Sequence, residues 1–355
     1  MFSEAFDGKV DYLQVMDEKG NVDQQFFPKD VDDNTVIAMY KNMMFTRAFD
    51  NKVLSLQRQG RTSTFAPSFG EEATHIGSAM AMRKDDIFVP AFRQTGVYYA
   101  RKMPMDLYLL YWIGYEDSNK IPKEVNGFPM AVPVATQLPH SVGIAFAQKY
   151  QGRDAAVVVY VGDGGTSEGD FSEALNFAGV WKTPLVVIIE NNQWAISMPR
   201  EKQSAAKTLA QKAFAAGINC IQVDGNDVMA VYKATKDAIE NSKNGPTVIE
   251  CVTYRMGMHT TSDDPTKYRT DEETEKWKLK DPILRVKMYL TAKGIWNDDL
   301  EKKTIEEQSK ELDDIVQKAE AFKPDPEGMF NTVYSFVPEV LKKEFDEAKA
   351  SNYWQ

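Results

Sequence analysis

Cysteine and histidine are scarce in these 355 residues: two cysteines, Cys220 and Cys251, and three histidines, His75, His140 and His259. The cysteines show no close pairing pattern, which excludes a disulfide scaffold and a zinc finger. Each falls in an expected strand and reads as a small core residue. Three scattered histidines exclude a multi-histidine metal site. No apolar run approaches the ~20 residues of a membrane helix, and the N-terminal MFSEAFDGKVDY lacks a signal-peptide core. A cytoplasmic protein with no membrane partner is expected. No dense basic run occurs and the net charge is −10, so the footprint of a nucleic-acid binder is missing. Nucleotide fingerprints are missing too. There is no G-x-x-x-x-G-K-[ST] run, and Gly162-x-Gly164 lacks a third glycine at the required spacing.

What is present is a hydrophobic share of 43%, enough for a sizeable core, and an alternation of strand and helix patterns. Residues 1–31 read as an N-terminal arm with a hairpin or extended piece. Residues 32–322 form the expected α/β domain, and 323–355 a linker and a C-terminal helix. Asp32-Asp33-Asn34 offers N-cap chemistry to a helix ending at Gly60. Further helices are expected over 71–82, 96–114, 135–150, 170–181, 204–216, 227–241, 280–294 and 298–322. Strands are expected over 87–89, 155–161, 185–189, 220–223 and 247–253. Such alternation predicts a mainly parallel sheet covered by helices on both faces. The turn-rich stretch YRMGMHTTSDDP after the last strand is expected as a loop above the carboxyl edge of the sheet.

The stretch 155–197 organises the chain. One β-branched run stops at Gly162-Asp163-Gly164-Gly165, a helical pattern comes next, and a second apolar run stops at Glu190-Asn191-Asn192. Parallel neighbours present their carboxyl ends side by side, so Asp163 and Asn192 are expected to converge. A glycine turn and a helix N-terminus favour phosphate oxygens. One carboxylate and one amide make a poor cage for a bare cation, but Mg²⁺ takes six oxygens and shares them readily with phosphates. The local reading is therefore a Mg²⁺–diphosphate site. Arg93, just beyond the 87–89 strand, reads either as a surface ion-pair partner or as a ligand-binding residue.

GDGGTSEGDF…NNQWAIS resembles the thiamine diphosphate motif. The wider chain, through Phe69-Gly70-Glu71-Glu72, Phe92-Arg93, Ala135-Thr136-Gln137 and YRMGMHTTSDDPTKYR, resembles the alpha subunit of the decarboxylating first component of 2-oxoacid dehydrogenase complexes. The resemblance implies thiamine diphosphate and Mg²⁺ as cofactors. It implies Asp163 and Asn192 as side-chain metal ligands and Trp194 as a carbonyl ligand. Gly162, Gly164 and Gly165 would lie along the diphosphate, with Arg93 upon it and Phe92 beside the cofactor. Val132 and Val134 would face the aminopyrimidine, and His259 would be the catalytic histidine of the active-site loop. The implied reaction is oxidative decarboxylation of a small-molecule 2-oxoacid with reductive acylation of a lipoyl domain of the dihydrolipoyl acyltransferase. A beta subunit in an α₂β₂ heterotetramer would supply the carboxylate that activates the cofactor.

Several positions depart from relatives. Met258 replaces a histidine of some, Thr260 stands where kinase-regulated relatives have a serine, and Val132 stands where some branched-chain enzymes have a potassium-binding serine. Pyruvate and branched-chain substrates both remain open. A catalytically silent assembly subunit, and an ordinary nucleotide-binding enzyme, are the alternatives from other functional classes.

Overall fold

The computed structural model describes residues 6–325 and 327–351; the expectations for residues 1–5 and 352–355 lie outside them. The strands in chain order are β1 (Tyr12–Leu13), β2 (Ile87–Val89), β3 (Val157–Gly162), β4 (Leu185–Asn191), β5 (Trp194–Ala195), β6 (Met198–Pro199), β7 (Asn219–Asp224) and β8 (Thr247–Val252). Six of them form one sheet in the order β1-β7-β8-β4-β3-β2, every pair parallel, while β5 and β6 make a separate antiparallel hairpin. The helices are α1 (Asp33–Arg58), α2 (Glu72–Ala81), α3 (Thr95–Ala100), α4 (Met105–Ile113), α5 (Gln137–Tyr150), α6 (Gly169–Trp181), α7 (Arg200–Gln203), α8 (Val228–Asn241), α9 (Asp271–Lys278), α10 (Pro282–Ala292), α11 (Asp298–Glu320), α12 (Gly328–Asn331) and α13 (Glu339–Ala350).

Alternation along the strands divides the core into two layers. Val158, Tyr160, Val186, Ile188 and Ile249 point to one face, where they meet Met39 and Met43 of α1, Ile76 of α2 and Val231 of α8. Val157, Val159, Val161, Val187 and Ile189 point to the other, against Leu138 and Val142 of α5 and Phe171 and Leu175 of α6. Both faces are covered, as expected for strands that read as unbroken apolar runs. Each fully buried aliphatic side chain stabilises the fold by roughly 1.5–3 kcal/mol, so the central strands are anchored on both sides. Helix starts obey the sequence: Asp32 accepts from the Thr35 N–H at 2.8 Å, and Asp227 accepts from the Met229 and Ala230 N–H groups.

Three segments differ from the sequence reading. The arm joins the main sheet. Tyr12–Leu13 adds an edge strand beside β7, and the buried Val15 and Met16 donate their N–H groups to the Asp227 carboxylate at 2.6 and 2.7 Å. The single helix expected over 96–114 is two, α3 and α4. Pro104 has no N–H to continue α3, and Lys102 before it is left-handed, with φ 64°. Over 204–216 only a 3₁₀ segment, Ala210–Ala216, forms. Its start is held by the Glu250 carboxylate, which accepts from the Leu209 and Ala210 N–H groups.

Candidate active site

The ends of β3 and β4 lie directly side by side, with Gly162 opposite Glu190. A single carbonyl joins the residues just past those ends: Glu190 O accepts from the N–H of Asp163 at 3.2 Å and from that of Asn192 at 3.0 Å. The two polar residues that end the strands are therefore set by the backbone ladder. Between Asp163 and α6 the chain makes a 3₁₀ turn, Gly164–Ser167, so this turn rather than α6 itself comes directly after the strand end. A Cβ on Gly162 would meet nothing within 4 Å, whereas one on Gly165 would come within 2.4 Å of Val161 Cγ2. The turn is closed behind Gly165 and open at Gly162, where a ligand can reach the backbone.

Phe92, Arg93, Val134, Gly162, Asp163, Gly164, Gly165, Asn192, Trp194 and His259 line one cavity of about 230 Å³. Val132 does not line it; its side chain is half-exposed nearby in sequence, two residues before the lining Val134. Three non-glycine residues around the cavity, Ala135, Gln193 and Ile196, have left-handed backbones with φ of 67°, 72° and 57°. Such conformations cost about 1–3 kcal/mol each and concentrate at functional sites.

Asp163 is buried, and its Oδ2 has no hydrogen-bond partner. Burial pushes its carboxyl up to about 6, more than the Gly164 N–H and the Arg255 charge pull it down. An orphaned carboxylate oxygen in that position fits a bound cation. Asn192 is oriented for the same purpose. Its Nδ2 donates to Glu71 Oε1 at 3.0 Å, which leaves Oδ1, taking only a 3.2 Å contact from the Trp194 N–H, as the acceptor. The Trp194 carbonyl accepts from Arg255 Nη1 at 3.0 Å and keeps a second lone pair.

Across the cavity, Arg93 is buried and preset. Nη1 donates to the Pro67 carbonyl at 2.6 Å, Nε lies 3.7 Å from Glu71 Oε1, and Nη2 lies 3.1 Å from His259 Nδ1. Arg255 Nη1 also lies 3.4 Å from that ring nitrogen. Burial and these two guanidinium groups push the His259 imidazole down to about 3. The ring is therefore neutral, and with arginine donors at Nδ1 the proton sits on Nε2. Asp263 fixes the loop from below, accepting from the His259 N–H at 2.8 Å and from the Tyr268 hydroxyl at 2.5 Å. Because the folded value lies below the ordinary 6.5, the stability tied to neutral His259 is fully present above that value and is lost as pH falls towards 3. The His259 ring resonances of the free chain are expected to stay those of a neutral imidazole from pH 8 down to about 5. A midpoint near 6.5, assigned by comparison with His259→Gln, contradicts this.

Four residues at or behind the lining were not among the expected site residues: Gln94 and Glu190, which line the cavity, and His75 and Arg255, which do not but contact Glu190 and the Trp194 carbonyl. Arg255, fully buried, joins the Trp194 and Ile196 carbonyls to the Tyr268 hydroxyl. Glu71, which the sequence presents only as part of a motif, proves to be fully buried as well. The dehydrogenase E1 component family matches residues 40–327. The "pyruvate dehydrogenase E1 component subunit alpha" of Staphylococcus aureus strain Mu50 is 39% identical over 342 residues, covering 95% of this chain and 92% of the relative. The proteins of the same name from Staphylococcus aureus strain COL and Staphylococcus epidermidis strain RP62A match to the same extent. A match over most of the chain, by family and by relatives alike, places this protein in the dehydrogenase E1 component family, as an alpha subunit of the 2-oxoacid dehydrogenase type.

Proposed function

We propose that this chain binds thiamine diphosphate through Mg²⁺ and acts, with a beta subunit, in the oxidative decarboxylation of pyruvate or branched-chain 2-oxoacids. The observation that carries the reading is the orphaned Asp163 Oδ2, set beside Asn192 in the cavity that Arg93 and His259 also line. Asp163 Oδ2, Asn192 Oδ1 and the Trp194 carbonyl would hold the ion, with diphosphate oxygens completing its six ligands. The open side of the turn at Gly162 suits the backbone for close approach to the diphosphate. Arg93 needs little reorganisation to meet an anion, because Pro67 and Glu71 already hold its fork. The bound cofactor supplies the electron sink for the carbanion left by loss of CO₂. His259, neutral and protonated on Nε2, is suited to donate a hydrogen bond from Nε2 that orients the reacting groups as the acyl group leaves for a lipoyl domain of the acyltransferase.

Exposed apolar side chains support a covering partner. Phe128 and Val134 are exposed near the cavity, and Phe146, Tyr150, Phe177 and Trp181 form an aromatic cluster on the outer faces of α5 and α6. An α₂β₂ heterotetramer with the cofactor between subunits accounts for both. No helix among the described residues is long and apolar enough to cross a membrane, and a cytoplasmic location belongs to the same reading.

Calorimetry of thiamine diphosphate with Mg²⁺ on the αβ pair tests the proposal. Binding is expected, and affinity for NAD or ATP without it sinks the reading. Turnover of pyruvate, 2-oxobutyrate, 2-oxoisovalerate and 2-oxoisocaproate then decides the substrate. One methylene in an apolar pocket is worth only ~1–3 kcal/mol, so a graded preference is expected rather than a single accepted acid.

A further inference from the structure

Two carboxylates lie in the floor of the cavity, where an anionic ligand makes them a liability. Glu71 and Glu190 are both buried and both line the space. Glu71 accepts from Asn192 and lies near Arg93. Glu190 has no arginine or lysine within ion-pair distance among the described residues. Its Oε2 accepts from Gln94 Nε2 at 2.5 Å, and its Oε1 lies 3.0 Å from Nε2 of His75, a fully buried residue of α2, within ion-pair distance although neither atom makes a hydrogen bond. Gln94 in turn takes the Arg93 N–H on its Oε1 at 3.2 Å. The Glu190 side chain is thus bonded to the segment after β2 and faces the His75 ring of α2 at ion-pair distance. Although burial disfavours the imidazolium, Glu190, Glu71 and Asp50 outweigh it and hold His75 above its ordinary value.

We propose that His75 is a positioning residue for the diphosphate: by facing the Glu190 carboxylate at ion-pair distance, it offsets a buried negative charge that would oppose the anion at the glycine turn. The inference rests on the thiamine diphosphate reading of this cavity. An uncompensated carboxylate beside a buried anion is expensive, because little solvent screens the pair. The backbone seat of the metal ligands does not depend on this pairing, since Asp163 and Asn192 bond to the Glu190 carbonyl and not to its side chain.

The test is a double-variant cycle on the full chain with its beta subunit, reading the Kd of thiamine diphosphate at saturating Mg²⁺. His75→Gln, which nearly keeps the volume, is expected to weaken binding by about tenfold or more. Glu190→Gln alone is expected to bind at least as tightly as the wild type. The double variant, His75→Gln with Glu190→Gln, is expected to recover to within a small factor of Glu190→Gln. A purely structural histidine predicts no such rescue, so a double variant as weak as His75→Gln overturns the proposal. Loss of affinity in Glu190→Gln overturns it too, and that arm needs no change at His75. The side chains of Glu71, His75 and Glu190 place ligand atoms within 4.8 Å of one another. A stoichiometric zinc ion in the purified wild type, lost in His75→Gln, also overturns it, by making the histidine a metal ligand. Failure of the wild type to bind thiamine diphosphate sinks the cofactor reading instead and is distinct from every outcome of the cycle.

Discussion

Asp163→Ala is expected to lower the affinity for thiamine diphosphate and Mg²⁺ by about a hundredfold or more, while the free chain melts no lower than the wild type. The two halves of this expectation come from one fact. Asp163 is buried with an oxygen that nothing in the chain satisfies, so in the free protein its charge is a burden. The folded value of about 6 lies above the ordinary 3.8. A group raised in this way stabilises the fold most below its unfolded value, and that contribution is lost as pH rises through 6. A rise from 3.8 to about 6 corresponds to about 3 kcal/mol at the upper limit. Asp163→Asn should therefore melt higher than the wild type at pH 8, and the gap should close towards pH 5. A bound cation reverses the sign by favouring the ionised form, so Mg²⁺ should raise the melting temperature of the wild type and not of Asp163→Asn. Cation affinity should also fall below about pH 6, where protons compete for the carboxylate. Equal metal response in the two proteins, read by thermal melts with and without Mg²⁺, would remove Asp163 from the ligand set.

The second large effect is expected at His259. His259→Ala should keep cofactor affinity within a small factor, yet lose about 10²–10⁴-fold in reductive acylation of the lipoyl domain. The ring is not part of the strand-end seat of the metal. It stands on the far wall, wedged by its Nδ1 against Arg93 and Arg255. Its removal frees Arg93 Nη2 rather than stranding a charge, because Nη1 still holds the Pro67 carbonyl. Cofactor binding measured by calorimetry should therefore survive while complex turnover collapses. Decarboxylation followed with an artificial electron acceptor separates the half-reactions. If both halves fall together with the affinity, His259 serves the cofactor site and not the transfer step.

How much of this was legible in the sequence differs by residue. The ends of β3 and β4 were legible because β-branched runs with few polar interruptions read as buried strands, and glycine or asparagine marks where they stop. The adjacency of those strands was suggested by the short helical crossover between them. Arg93 was legible as a residue just past a strand end, but not as a buried one, because only the fold shows Pro67 and Glu71 waiting for it. His75, Glu71 and Glu190 were not legible as a buried cluster. The stretch FGEEATH reads as a helix start without showing which side chains are buried, and their burial depends on α2 packing into the sheet with α8 across it. The two-residue strands β1, β5 and β6 are too short to show a period. The break between α3 and α4 was marked by Pro104, yet the aromatic richness on either side concealed it. Val132 and Val134, two residues apart, would share one face of an extended segment. The chain instead turns there, with the Thr136 N–H donating to the Pro133 carbonyl and Ala135 left-handed, and of the two only Val134 reaches the cavity.

The Glu190 carbonyl that receives both the Asp163 and Asn192 N–H groups has an evolutionary and engineering consequence. The main-chain spacing of the two ligand residues is set at this carbonyl, so position 190 can exchange its side chain without changing that spacing. Geometry and field are separately adjustable there. Charge at the diphosphate can be retuned by one codon, with compensation at 75 or 94, while the main-chain spacing of the ligand residues is inherited unchanged.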